Sequence, residues 1–164
     1  VNMIKNKKKI IIISSIVLCV LVLIGLIVFI TNNNLNENEK KVVLVLNDYK
    51  PRLKNPSTLQ VFDIRCKESY DKDNNLKLDV YIDTSAQNGF GGNTRDRIYY
   101  IVYSDNKVEF VGSDSKANYS ITSYTSKSEE SEINSAREIY KTYEELKNND
   151  SAKINVKKVM KKVK

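Results

Sequence analysis

Leu76-Lys77-Leu78-Asp79-Val80-Tyr81-Ile82-Asp83 is the run whose reading decides the fold. Its apolar members Leu76, Leu78, Val80 and Ile82 alternate strictly with Lys77, Asp79, Tyr81 and Asp83, which is the period of a β-strand. The pattern predicts one buried face and one wet face. Upstream, Leu59 to Glu68 alternates more loosely, with Phe62, Ile64 and Cys66 on one face, and the turn-forming run Asp71-Lys72-Asp73-Asn74-Asn75 joins the two strands. Downstream, Arg97 to Ser104 is apolar on both faces, as a central strand should be, and the tight turn Asp105-Asn106 leads into Lys107 to Val111 as the closing strand of a hairpin. Ser113 to Ser128 is rich in Ser, Thr and Tyr, and Tyr119, Ile121 and Tyr124 are the residues a further edge strand would use.

Helical signals flank the strands. Between Glu39 and Lys54, the residues Val42, Val43, Leu46, Tyr49 and Leu53 recur at spacings of three and four, the mark of an amphipathic helix. A buried strand over 42–46 is the competing reading, because Leu44 and Val45 fill the gap. Pro51 and Pro56 close the region. After the strands, Ser126 and Glu129 form a capping-box pattern, followed by an apolar stripe of Ile133, Ala136, Ile139, Tyr140, Tyr143 and Leu146. Asp150 or Ser151 would cap a last short helix with Val156, Val159, Met160 and Val163 on one face and lysines on the other. The predicted class is α+β, with three or four antiparallel strands and helices covering one sheet face.

The N-terminal end carries a different signal. From Ile10 to Ile30 every residue is apolar or small except Ser14 and Ser15, and 21 residues at 1.5 Å rise span about 31 Å, the thickness of a hydrocarbon core. Lys5, Lys7, Lys8 and Lys9 precede the run, whereas Thr31 to Glu39 holds no positive charge. By the positive-inside rule this is a membrane-spanning helix with a cytoplasmic N-terminus. A cleaved signal peptide fits less well: its apolar region is shorter and ends at small residues, which Val28-Phe29-Ile30 does not supply. Ile16-Val17-Leu18 before Cys19 likewise lacks the small residue of a lipidation site. The organisation expected is a basic tail (1–9), a spanning helix (10–30), an Asn-rich polar tether (31–38) and an extracytoplasmic domain (39–164).

Composition narrows the chemistry. The chain has 164 residues, 27 Lys+Arg, 20 Asp+Glu and no His, so imidazole bases, Ser/His/Asp triads and His-bearing zinc sites are excluded. Two cysteines, Cys19 and Cys66, give neither a disulfide scaffold nor a four-thiolate metal site. The net charge of +7 resides in the ends: with the four N-terminal lysines and the six of Lys153 to Lys164 set aside, 17 basic residues face 20 acidic ones. A nucleic-acid partner is therefore not expected. The lysine-rich end fits either a packed helix with a solvated face or a surface lying on anionic head groups or wall polymers. Asp71-x-Asp73-x-Asn75 resembles the start of a calcium loop, but Leu76 and Ile82 occupy the places of its Gly and Glu, which leaves a polar turn. No metal site and no cofactor are expected, and Cys66 reads as a small buried residue.

Three of the five glycines fall within Gln87-Asn88-Gly89-Phe90-Gly91-Gly92, followed by Arg95 and Arg97. As a functional site, this loop would offer backbone N–H groups and two arginines on one strand face to an anion or a peptide. As structure, it is a long hairpin connection pinned to the core by Phe90. Leu53-Lys54-Asn55-Pro56-Ser57-Thr58, a strand, and then Asp83-Thr84-Ser85-Ala86-Gln87-Asn88-Gly89-Phe90-Gly91-Gly92 with Arg95 resemble a group of small uncharacterised bacterial extracytoplasmic domains. Those domains carry a Leu-Lys-x-Pro-Ser-Ser/Thr segment at a helix end and an Asp-x-x-x-Ala-Gln-Asn-x-Phe-Gly motif between two strands. Here the gap after Asp83 is one residue shorter. The resemblance covers residues 40–104 and implies a lipid- or helix-anchored envelope domain without an assigned activity.

The expected protein is thus a single-pass bacterial membrane protein that displays a non-catalytic binding domain outside the cell. Its partner would be an envelope protein or a wall component, and Gln87 to Gly92, Arg95 and Arg97 are the candidate contact residues. The alternative is a subunit of a conjugation or secretion complex with a cystatin-like extracytoplasmic domain, by analogy of fold alone. Ten tyrosines and no Trp supply rings with polar tips for packing or binding.

Overall fold

The computed structural model describes residues 15–27, 34–122 and 125–164, with the Ser151 side chain outside the description. Two compact units result, residues 1–35 and 36–164. In the first, residues 15–27 form helix α1 with every described side chain exposed. The basic tail, the two ends of the expected span (10–14 and 28–30) and the start of the tether lie outside the described residues. Among those described, no helix is long and apolar enough to cross a membrane.

The second unit is an α+β fold. Its order is α2 (Glu37–Tyr49), β1 (Gln60–Tyr70), β2 (Leu76–Gln87), β3 (Asn93–Val102), β4 (Val108–Ser113), α3 (Lys127–Lys147) and α4 (Val156–Met160), with short 3-10 turns at Lys50–Arg52, Pro56–Thr58 and Asp150–Ala152. The four strands make one antiparallel meander in sequence order. Asn36 caps α2 in a capping box with Glu39, so the helix begins ahead of the expected Glu39; it stops at Tyr49, and Pro51 passes into the 3-10 turn. Ser126 and Glu129 form the second capping box, as their spacing predicts. The last helix is capped by Asn155 rather than by Asp150 or Ser151. Asn74 and Asn106, at φ 61° and 66°, turn the β1–β2 and β3–β4 connections.

Strand alternation divides the interior into two layers. Ile64, Leu78, Val80, Ile82, Ile98, Tyr100 and Val102 point to one face, where Val42, Val45 and Leu46 of α2 and Val159 of α4 cover them. Each fully buried aliphatic side chain there contributes about 1.5–3 kcal/mol. Tyr81 points the other way and packs with Ile139 and Tyr143 of α3, against Tyr99. Helices therefore cover both sheet faces, which corrects the expectation of one covered face. The face of β2 expected to be wet is covered as well: Asp79, Tyr81 and Asp83 are all buried. An amphipathic α3 that buries Ile133, Ala136, Ile139 and Tyr143 needs a surface to lie on, and this half-polar face is the one left by α2 and α4.

Two irregularities adjust the register. A bulge between Val61 and Asp63 sends Val61 to the α2 core and turns Phe62 out, 47% exposed and beneath the Arg95 guanidinium at 4.4 Å, so Phe62 does not share a face with Ile64 and Cys66. A second bulge falls between Tyr99 and Tyr100, opposite Phe110 to Gly112. A Cβ at Gly112 would meet Ile139 Cδ1 at 3.1 Å, so glycine here lets α3 approach β4. Residues 119–122 form no strand, and Tyr124 lies outside the described residues.

Candidate functional site

The β2–β3 loop is organised by its own side chains. Asn88 Oδ1 accepts from the N–H groups of Phe90 and Gly92 (3.0 Å each), and Gln87 Nε2 donates to the Gly91 carbonyl at 2.9 Å. These bonds consume donors that an anion would need. Gly91 takes φ 84°, the left-handed region that glycine enters without strain. Replacing it by Val is expected to destabilise the domain by about 1–2 kcal/mol, whereas Gly89→Ala, at ordinary φ with open space around it, serves as the neutral control in thermal unfolding. Equal melting temperatures for the two variants would refute the strain argument.

The two sequence segments that carry the resemblance meet in space. Thr58 Oγ1 accepts from the Gln87 N–H at 2.9 Å, and Asn55 Nδ2 donates to the Asn88 carbonyl at 3.3 Å. Leu53 to Thr58 is thus the strap that fixes the hairpin tip. Phe90, expected to pin the loop to the core, is instead fully exposed. The strap holds the tip without it.

Arg95 and Arg97 do share one sheet face, but both are engaged within the domain. Arg95 makes a bidentate pair with Asp83 (Nε 2.9 Å, Nη2 2.7 Å). Arg97 donates through Nη1 to Asp114 at 2.8 Å and through Nη2 to Glu144 of α3 at 3.3 Å, and its guanidinium lies over the rings of Tyr140 and Tyr143. Asp114 also accepts the Arg97 N–H at 2.7 Å. Arg97 Nε is buried without a hydrogen-bond partner. Of the pair expected to offer free guanidinium groups to a partner, Arg95 thus ties β3 to β2 and Arg97 holds α3 and the 114–118 turn to the sheet. The reason is the burial of Asp83 and Asp114, which demands compensating charge.

The same layer continues toward β1. Asp63 accepts from Arg65 Nε at 2.7 Å and from the Tyr143 hydroxyl at 3.0 Å, and Arg65 also reaches the carbonyls of Leu146 and Asn149 at the end of α3. Asp79 accepts from Ser69 and from Tyr99, whose ring stacks on Tyr81 at 4.5 Å. Burial raises the hydroxyl pKa of Tyr81, Tyr99 and Tyr143, so all three are neutral, and Tyr99 and Tyr143 donate to Asp79 and Asp63. Burial also pushes the Cys66 thiol up to about 12, which makes it an inert core residue. Asp71 closes its turn by accepting from the Asp73 and Asn75 N–H groups. Among the described residues no cluster of three or more acidic or thiol side chains could hold a metal ion.

A site that sequence reasoning missed lies between α3 and β4. It is an open groove of about 1020 Å³, floored by Tyr81, Tyr99, Val111, Ala136 and Ile139 and flanked by the Lys116–Glu132 ion pair. Beside it, β4 is the edge of the sheet; among the described residues no strand pairs with its outer side. Phe110 and Val111 stay 42% and 45% exposed. The one signal in the sequence is Gly112 inside an otherwise β-forming run, which marks a bulge or a close approach. Comparison with family models, with curated proteins and with solved structures gives no match to this chain.

Proposed function

We propose that this chain is a single-pass, membrane-anchored envelope protein of a bacterium, with a cytoplasmic N-terminus and a non-catalytic domain outside the cell. The domain binds an extended peptide segment of an envelope partner along β4. The 21-residue apolar run behind four lysines supports the anchor and its orientation. The groove beside the free edge of β4 carries the binding reading. A sheet edge offers N–H and C=O groups in the spacing that an extended backbone pairs with, and the apolar floor gives its side chains somewhere to go. This replaces the arginines at 95 and 97 as the centre of the contact surface, since their charges are already paired.

Wall-stripped cells producing the full chain test both parts in one assay, with fluorescent peptides selected from a random display library on the full chain in neutral micelles. Bound peptide and the 31–164 domain should both be lost on addition of protease. Val111→Arg, which puts a charge on the groove floor, should weaken peptide binding by at least about tenfold with the domain still folded. Survival of the domain under protease would overturn the orientation, and unchanged binding by the variant would overturn the groove.

A further inference from the structure

Lysines and arginines at one end of the 36–164 domain have little acid to answer them. Lys50, Arg52 and Lys54 leave the C-terminal end of α2, in a segment from Tyr49 to Phe62 without Asp or Glu. Lys161, Lys162 and Lys164 follow α4, in a segment from Lys153 onward that is likewise free of acid. Hydrogen bonds join the two segments: Lys50 Nζ donates to the Lys164 carbonyl at 3.1 Å, and the Lys164 N–H donates to Asn47 Oδ1 at 2.9 Å. Of the acids close by, Asp48 is occupied by Arg52 at 2.8 Å and by the Tyr100 hydroxyl at 3.1 Å, and Asp96, near Tyr49, is half-buried. Lys54, Lys161 and Lys162 are exposed, and among the described residues no carboxylate pairs with them.

The hairpin tip belongs to the same end. Asn55, next to Lys54, bonds the Asn88 carbonyl, and two residues further on Phe90 projects with its whole ring in solvent. The loop behind it is fixed by the Asn88 side chain. At this end a fully exposed aromatic on a braced loop stands with lysines that, among the described residues, have no acidic partner. It matches the headgroup region of a bilayer, where rings sit at the apolar boundary and lysines meet anionic groups. A soluble polyanion would satisfy the lysines and leave the ring uncovered.

We propose that this end of the domain, formed by the exit of α2, the Phe90 hairpin tip and the segment after α4, docks on an anionic lipid surface. The proposal rests on the anchored part of the reading above, which keeps the domain within reach of a bilayer. Docking would turn a tethered domain into an oriented one, with its attitude to the membrane set by lipid charge.

The test uses the full chain in nanodiscs of phosphatidylcholine alone and of phosphatidylcholine with about 30% phosphatidylglycerol, with lysine acetylation read by peptide mass spectrometry. Lys54, Lys161 and Lys162 should acetylate about fivefold more slowly in the anionic discs, and the difference should vanish near about 0.5 M NaCl. Exposed Lys72 and Lys141 should label equally in both. Phe90→Asp should remove most of the protection without altering the fold, because its ring touches nothing to lose. Equal labelling in the two discs sinks this proposal alone. A chain that enters neither disc sinks the anchored reading and this proposal with it. Protection of the same lysines by inorganic polyphosphate in the neutral discs, with none in the anionic discs, assigns the face to a soluble polymer and overturns lipid docking.

Discussion

The Arg97→Ala variant is expected to lose about 3 kcal/mol of stability, a large share of what a small domain has. Arg97 is 25% exposed at its side chain and neutralises Asp114, which is 6% exposed, while also reaching Glu144. Removing the guanidinium leaves the Asp114 carboxylate buried with the Arg97 N–H as its remaining donor, and uncovers the rings of Tyr140 and Tyr143. Arg95→Ala, two residues away on the same face, should cost far less. Its side chain is 60% exposed, so water reaches the place it leaves beside Asp83. Urea unfolding followed by circular dichroism separates the two variants. Equal midpoints would mean that α3 is held by its apolar stripe alone.

Alkaline unfolding is the second large effect. Burial raises Tyr49, Tyr81, Tyr99, Tyr100 and Tyr143 above their ordinary 10.0, and carboxylates add to the shift: Asp79 beside Tyr99, Asp48 beside Tyr100 and Asp63 beside Tyr143. For a group whose pKa is raised by folding, the stabilisation is complete below the unfolded value and is lost as pH climbs toward the folded one. Above pH 10 the unfolded chain therefore releases up to five protons that the folded domain retains. The part of the phenolate absorbance at 295 nm that comes from these five tyrosines should appear in one steep step above pH 10, together with loss of the far-ultraviolet circular dichroism. Phenolate signal that reaches its full height while the dichroism stays native would refute this account.

Local patterns carried much of the fold. Strict alternation from Leu76 to Asp83, the Ser126/Glu129 capping box and the turn residues at Asp71 to Asn75 and Asp105-Asn106 each act over a few residues, so each was legible in sequence. The groove beside α3 was not, because it depends on where α3 crosses the sheet. Neither was the engagement of Arg95 and Arg97: alternation tells which face a side chain takes, but their partners lie 12, 17 and 47 residues away in the chain.

The sequence by itself determined the elements, their order, the antiparallel class and the apolar run before the domain, since periodicity and turn chemistry are properties of neighbouring residues. Tertiary structure decided that the polar face of β2 is also buried. An Asp-Tyr-Asp face looks wet until Arg95 of β3 pairs with Asp83 and the hydroxyls of Tyr99 on β3 and Ser69 on β1 donate to Asp79, and desolvated charge is tolerated only where such partners converge. It likewise decided that Phe90 faces solvent. An aromatic in a glycine-rich loop reads as an anchor to the core, but the strap from Asn55 to Thr58 already fixes that loop by hydrogen bonds and leaves the ring free.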